Sequence, residues 1–257
     1  MTNGIPSARK KLDRARIHLQ SLHDAVEAFR EDHPYDFETT SPGNEPGRPD
    51  FRVKVIVTQA APVPDTWALI TGDILTNLRA TLDHAVFPHI RALKPDLARK
   101  YIQYPIEDRK NQWEPYNRWF TQPVKAVVGA SQPYRNDQPE LHQLRVLREL
   151  VNMDKHRDLV IGNYSVDDVH MESDFFKVVS TVLFLEEMVP GAVVAKAHLR
   201  LTEPIHGQQL KNFGGWVEYR EKIKIPGCKD LWPLLGVADA LVKFVGTLID
   251  DLEQAGC

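Results

Sequence analysis

The stretch FRVKVIVTQAAPVPDTWALITGDILTNLRATLDHAVFP, residues 51–88, carries the two patterns from which the fold is read. Its first nine residues, 51–59, alternate apolar and polar side chains and are rich in β-branched types, the period of a half-buried strand. Beyond the APVP spacer the apolar residues recur three and four apart, which predicts an amphipathic helix beginning at Asp65 or Thr66. Pro88 is expected to break or kink this helix, and Pro95 to stop whatever remains of it.

Upstream, Leu12, Ala15, Leu19, Leu22, Val26 and Phe29 alternate spacings of three and four, predicting a long first helix with Ser7 as N-cap and Pro34 as its end. Residues 34–50 hold four prolines and two glycines and read as a flexible surface loop. Downstream, residues 101–106 read as a short extended piece, and Trp113, Tyr116, Trp119 and Phe120 as an aromatic cluster covering one end of the core. Residues 139–159 form a third helical pattern, with Leu144, Leu147, Leu150, Val151 and Met153 as its apolar set. Strand-like runs follow at 175–185, 193–201 and 216–225, separated by Pro190-Gly191, Gly207 and Gly214-Gly215, so an antiparallel meander is expected. The last helix is expected to start at Asp230 as N-cap, with Pro233 in its first turn and a seam through Leu234, Ala238, Leu241, Val245, Leu248 and Leu252. Helices and strands in segregated blocks predict an α+β protein. The expectation is a single integrated domain over 1–257, a helical bundle of about four helices with an appended antiparallel β-sheet of about four strands.

Composition narrows the function classes. The chain of 257 residues is 42% hydrophobic, enough for a full core, but no run approaches the roughly 18 apolar residues that span a bilayer. Arg9, Lys10, Lys11, Arg14 and Arg16 have no apolar stretch behind them, so no secretory signal is read. Cys228 and Cys257 are too few for a disulfide scaffold, and a reducing cytoplasm is the expected location. A net charge of −3 excludes a global basic footprint for duplex DNA, while leaving room for a local RNA or phosphate site. There is no Walker loop, Rossmann glycine fingerprint, HExxH, GxSxG or EF-hand, and no cofactor is expected.

The densest polar information lies on the second and third helices. At about 100° per residue, Asp73, Asn77 and His84 share one face of the second helix, opposite Ile74, Leu78 and Leu82, while Arg79 and Asp83 sit one turn apart on a flank. His142, Arg145, Glu149, Asn152 and His156 form a stripe on the third, with Glu149 in reach of Arg145. Asp154 and Arg157 project from its apolar side, where an unpaired charge is expensive. If the two stripes face each other, His84 and His156 share a pocket with Asp73, Asn77 and Glu149, with Arg79, Lys155 and Arg157 nearby. Two imidazoles beside cations suit acid–base work on a phosphodiester: one removes a ribose 2′-OH proton, the other protonates the leaving oxygen, and Arg stabilises the phosphorane. The same carboxylate, His and Asn set could instead hold a metal, but within these two stripes no paired HxH, ExxH or HxxxE spacing supports a preformed site.

GDILTNLRATLDH (residues 72–84), SQPY (131–134) and LRVLRELVNMDKHRDL (144–159) resemble blocks of a widespread group of uncharacterised bacterial and phage proteins with GD-x-x-x-NLR-x-x-LDH, QPY and DKHR. Residues 79–84 also resemble the R-x4-H motif of HEPN ribonucleases, which are all-helical and usually dimeric and cleave RNA without metal at a shared interface. That resemblance implies Arg79 and His84 as catalytic residues and a homodimer; Ala80 departs from the polar residue usual after the Arg.

Three readings therefore stand at this level. The first is a metal-independent endoribonuclease using Arg79, His84 and His156. The second is a non-enzymatic protein whose polar helix faces bind a small anionic ligand or a partner, with residues 113–120 as lid or wall. The third is a structural network through Asp73–Arg157 or Asp154–Arg79 links.

Overall fold

The computed structural model describes residues 4–41, 49–156, 159, 161–172, 174–184, 188–202 and 214–257. The chain is α+β. Its described helices are α1 (Gly4–Glu31), α2 (Thr66–Leu93), α3 (Lys110–Trp113), α4 (Gln122–Ala130), α5 (Gln143–His156) and α6 (Leu234–Gln254). Its described strands are β1 (Tyr35–Thr40), β2 (Asp50–Ala60), β3 (Ile161–Glu172), β4 (Phe176–Leu183), β5 (Val193–Leu201), β6 (Gly214–Lys224) and β7 (Leu231–Pro233). They form one antiparallel sheet in the order β1-β2-β5-β4 and a second in the order β3-β6-β7.

Contacts divide the chain into two compact units, one comprising Met1–Val26, Pro64–Ile161 and Ile223–Cys257, the other Glu27–Val63 and Gly162–Lys222. In the first, mainly helical unit, α2 packs on α5 and α6 and buries Trp67, Ile74, Leu75, Leu78, Leu82 and Ile90 completely. The second unit centres on the four-stranded sheet, whose inner face carries Phe51, Val53, Phe176, Ala197 and Leu199. Phe51 and Phe176 meet edge-on at 6.1 Å.

Several expectations change. Helix α1 begins at Gly4, three residues ahead of the expected cap, and Ser7 lies inside it. Tyr35–Thr40, inside the expected loop 34–50, is an edge strand paired with β2. This run contains neither Pro nor Gly, and an open partner edge outweighed the signals on either side. Residues 42–48, where that loop reading concentrated, lie outside the described residues. The β4–β5 hairpin pairs as expected, but β6 leaves the meander and joins β3, a strand the alternation reading missed. Seven strands replace the expected four among the described residues. Helix α6 begins at Leu234 with Pro233 before it, so Asp230 is not its cap.

Pro88 does not break α2, which runs on to Leu93 and ends where the Lys94 N–H bonds the Ile90 carbonyl, just before Pro95. Lacking an N–H, Pro88 leaves the His84 carbonyl without its helical partner. Gly4 packs into that notch, where an added Cβ would sit 2.9 Å from the Ala85 oxygen and 3.0 Å from that of His84. The Cys257 thiol donates to the Ala85 carbonyl at 3.3 Å, and burial pushes this thiol up to about 12. The two ends of the chain thus cover the defect that Pro88 makes.

Candidate functional site: a cationic cleft

Between Pro95 and α3 the chain runs extended through residues 102–107 without joining a sheet, yet Ile102, Tyr104, Pro105 and Ile106 are buried. Its backbone groups must therefore be satisfied by side chains. Asp83 accepts from the Tyr104 N–H at 2.8 Å, Arg79 donates to the Tyr104 carbonyl at 3.0 Å, and the two side chains pair at 2.9 Å. Together they treat Tyr104 as a neighbouring strand would. Gln132, fully buried, accepts from Glu107 N–H and donates to the carbonyls of Pro105 and Val128. Arg148 donates to the Ile106 carbonyl at 3.0 Å. The Tyr104 hydroxyl meets Ser131 Oγ at 2.6 Å, and burial raises its pKa.

This clasped segment is one wall of a cleft of about 420 Å³. Helix α5 supplies the opposite wall with Arg148, Asn152 and Lys155, at i, i+4 and i+7, a stripe of about 10 Å at ~1.5 Å per residue. Arg79 of α2, Lys100 and Glu107 complete the charged lining, and Tyr101, Tyr104 and Tyr116 supply the aromatic surface. Four cations thus line the cleft with Glu107, two of them, Arg79 and Arg148, already paired with Asp83, Asp108 and Glu149.

The cations are not equivalent. Arg148 uses Nε, Nη1 and Nη2 on Glu149, the Ile106 carbonyl and Asp108, and so positions the wall. Arg79 makes its contacts to Gln103, Tyr104 and Asp83 through Nη2, and its Nη1 and Nε have no partner among the described residues. Lys155 lies close enough to Asp83 to favour its charged form, although desolvation is the stronger influence and leaves the Asp83 pKa raised. Glu107 is also held above the usual carboxylate range, mainly by burial, while a hydrogen bond from the Tyr116 hydroxyl and the nearby Arg148 act against that shift. Tyr116 belongs to the expected aromatic cluster, stacked with Trp113 at 6.3 Å and edge-on to Trp119 at 4.7 Å.

The sequence-derived residues separate into two groups. Arg79, Asn152 and Lys155 come together in the cleft, and Glu149 stands behind it, holding Arg148 at 2.7 Å rather than the expected Arg145. The others point elsewhere. His84 Nδ1 bonds Ser7 Oγ at 2.9 Å, and His156 is exposed at the end of α5; neither lines the cleft, so the expected shared pocket of two imidazoles does not form there. Five residues at ~100° each send Arg79 and His84 about 140° apart around α2. Asn77 bonds the Asp73 carbonyl of its own helix, and Asp73 is exposed, 3.9 Å from His18. Arg157 lies outside the described residues.

Asp154 does not reach Arg79, which is held by Asp83. Its carboxylate rests against Gly72, where a Cβ would stand 2.6 Å from Oδ1. Burial, assisted by Asp73, raises the Asp154 pKa. Gly72 and Asp154, the first residues of the GD and DKHR blocks, therefore mark the close approach of α2 to α5. His142 is buried at the start of α5, where Nδ1 accepts from the Leu144 N–H at 3.2 Å and burial lowers its pKa.

Arg148, Glu107 and Lys100 escaped the sequence reading. Lys100 and Glu107 lie in a segment without periodicity, and Arg148 sits one position off the stripe that drew attention to Glu149. Gln132 is the Gln of QPY, and only its complete burial shows why that block is there. No described helix is long and apolar enough to cross a membrane. Comparison with protein-family models, with curated proteins and with solved structures finds no match to this chain.

Proposed function

We propose that the cleft binds a small anionic ligand bearing a phosphate or carboxylate group, and that this binding is the function of the helical unit. The observation that carries the reading is the convergence of Arg79, Lys100, Arg148 and Lys155 on one cleft, where Lys100 and Lys155 have no ion pair among the described residues while Arg79 is paired with Asp83 and Arg148 with Asp108 and Glu149. Arg79 Nη1 has no partner among the described residues and can donate to an oxyanion, and Lys155 adds a mobile charge beside it. Asn152 supplies an exposed amide, and Glu107 with Tyr116 accepts a hydroxyl or amine from the remainder of the ligand.

The test is thermal unfolding of the full chain at low salt with inorganic phosphate, pyrophosphate, citrate or a nucleoside monophosphate. A ligand at 100 times its Kd adds about 2.7 kcal/mol, a rise of several degrees in Tm. Lys155→Gln, which removes a charge without touching the clasp on residues 102–107, is expected to abolish the rise. No shift with any of these anions, or an undiminished shift in Lys155→Gln, overturns the reading.

The second reading is the metal-independent endoribonuclease implied by R-x4-H, and the place of Arg79 in the cleft favours it. It would pair the Arg79 of one protomer with the His84 of another, because the two side chains diverge within one chain. RNA cleavage by the purified chain, lost in His84→Ala with folding intact, is its signature; intact RNA at every salt concentration removes it.

A further inference from the structure

The sheet unit carries a second concentration of charge, independent of the cleft. In β2 and β5 the residues Phe51, Val53, Val55, Ala195, Ala197 and Leu199 are buried, so the intervening positions share the other face. The register fixes how these positions line up across three strands. Lys177 stands opposite Arg200, which stands opposite Asp50; Ser180 stands opposite His198 and Arg52; Val182 stands opposite Lys196 and Lys54.

Five lysines and arginines thus occupy one sheet face in a chain whose net charge is −3, against three acidic residues on its described strands, Asp50 on β2 and Asp36 and Glu38 on β1. Asp50 bonds Arg200 at 2.7 Å and lies 3.2 Å from His198, ordering that corner. Lys54 and Lys177 have no ion pair among the described residues. Along a strand these positions repeat every ~7 Å, and neighbouring strands are ~4.8 Å apart. Phe184, whose N–H extends the β4–β5 pairing to Val194, lies beneath Lys196, with Nζ 5.0 Å from the ring centre.

The geometry points to this face as a docking surface for single-stranded RNA. A flat array of cations matches a phosphate chain flexible enough to lie along it, as a single strand is, and the partly buried Phe184 ring holds Lys196 over that array. Ser180 and His198, between the cation rows, offer hydrogen bonds where a sugar hydroxyl falls. Contacts of this kind read the backbone, so the binding is expected to be largely independent of sequence and strongly dependent on salt.

The experiment is fluorescence anisotropy of the full chain with a labelled mixed-sequence RNA of about 20 nucleotides, titrated between about 50 and 200 mM salt. With about 0.7 per phosphate on a single strand, the three lysines Lys54, Lys177 and Lys196 predict a log–log salt slope near about −2. Lys54→Glu/Lys177→Glu/Lys196→Glu is expected to weaken binding at least about tenfold and to flatten the slope by about 2. The corresponding Lys→Gln triple variant should fall between it and the wild type, and circular dichroism should show both folded. Lys243→Gln on α6, exposed and outside both sites, should leave RNA affinity unchanged. Absence of RNA binding overturns the assignment, as does full affinity in the Lys→Glu variant. Tighter binding to single-stranded DNA, to a duplex of equal length or to phosphatidylserine vesicles overturns it as well.

Discussion

The cleft of the helical unit and the outer face of the four-stranded sheet both gather positive charge in a slightly acidic chain, but they hold it differently. In the cleft, Arg79 and Arg148 are fixed by carboxylates and by the carbonyls of a clasped backbone segment, and each guanidinium has a defined orientation. On the sheet, Lys54 and Lys177 project from alternate strand positions without ion pairs among the described residues. The first arrangement pre-pays the ordering of its side chains and suits a small ligand with a definite shape. The second leaves mobile charges over a flat area, which suits a long polyanion bound through counterion release. The same residue types therefore take different roles according to whether their geometry is fixed by partners or left free.

The largest expected effect tests the fixed side of this contrast. Gln132→Ala orphans the Glu107 N–H and the Pro105 carbonyl in a buried site, at about 1–3 kcal/mol each, so a loss of about 3 kcal/mol is expected in urea denaturation. Ligand-induced stabilisation should vanish with it, while RNA affinity stays. A loss below about 1 kcal/mol would mean that the cleft wall does not depend on its clasp.

Gly72→Ala opposes two effects, a Cβ that must push the Asp154 carboxylate aside and about 0.5–1 kcal/mol gained by removing a mid-helix Gly, so a net loss under about 1 kcal/mol is expected. Asp154→Ala in the same chain should recover most of the loss, a non-additivity readable in a double-mutant cycle. Additive losses would place the strain elsewhere.

A smaller effect concerns pH. His142 accepts the Leu144 N–H through Nδ1 and is held neutral by burial, so its folded pKa lies below the ordinary 6.5. The unfolded chain then binds the proton more readily, and the stability contributed by His142 is present above pH 6.5 and lost as pH falls through the folded value. His142→Asn should flatten that part of the Tm-against-pH curve between neutral and mildly acidic conditions. An unchanged curve would assign the dependence to other groups.

The smallest effect is expected on the sheet face. Lys177→Glu or Lys196→Glu should change stability by no more than about 0.5 kcal/mol, since both are exposed. A larger loss in urea would show that these lysines are structural, and the contrast with the cleft would fail.

Much of the fold was legible because secondary structure follows local periodicity. The alternation in 51–59 and the run 193–201 appear as β2 and β5 almost residue for residue, and the helical spacing up to Phe87 appears as the body of α2, which runs on past Pro88 to Leu93. β1 and β3 were not legible, since short or polar strands depend on the edge that receives them. Of the candidate site, Arg79, Asn152 and Lys155 could be picked out as polar residues sorted onto helix faces. Lys100, Glu107 and Arg148 could not, because nothing in their own neighbourhoods distinguishes them. The two histidines drew attention by residue type, and a histidine on a helix is as readily a partner for Ser7 as an acid–base group.

The sequence by itself determined the helices and strands with strong periodicity, the α+β class and the small net charge, all of which are sums or short-range patterns along the chain. Only the tertiary structure decided where the charge went. The register of β2, β4 and β5 places Arg52, Lys54, Lys177, Lys196 and Arg200 on one face, and the buried requirements of residues 102–107 draw Arg79, Gln132 and Arg148 to one segment. The reason is physical: pairing register and backbone hydrogen-bond satisfaction join residues far apart in sequence, and neither leaves a mark on local composition.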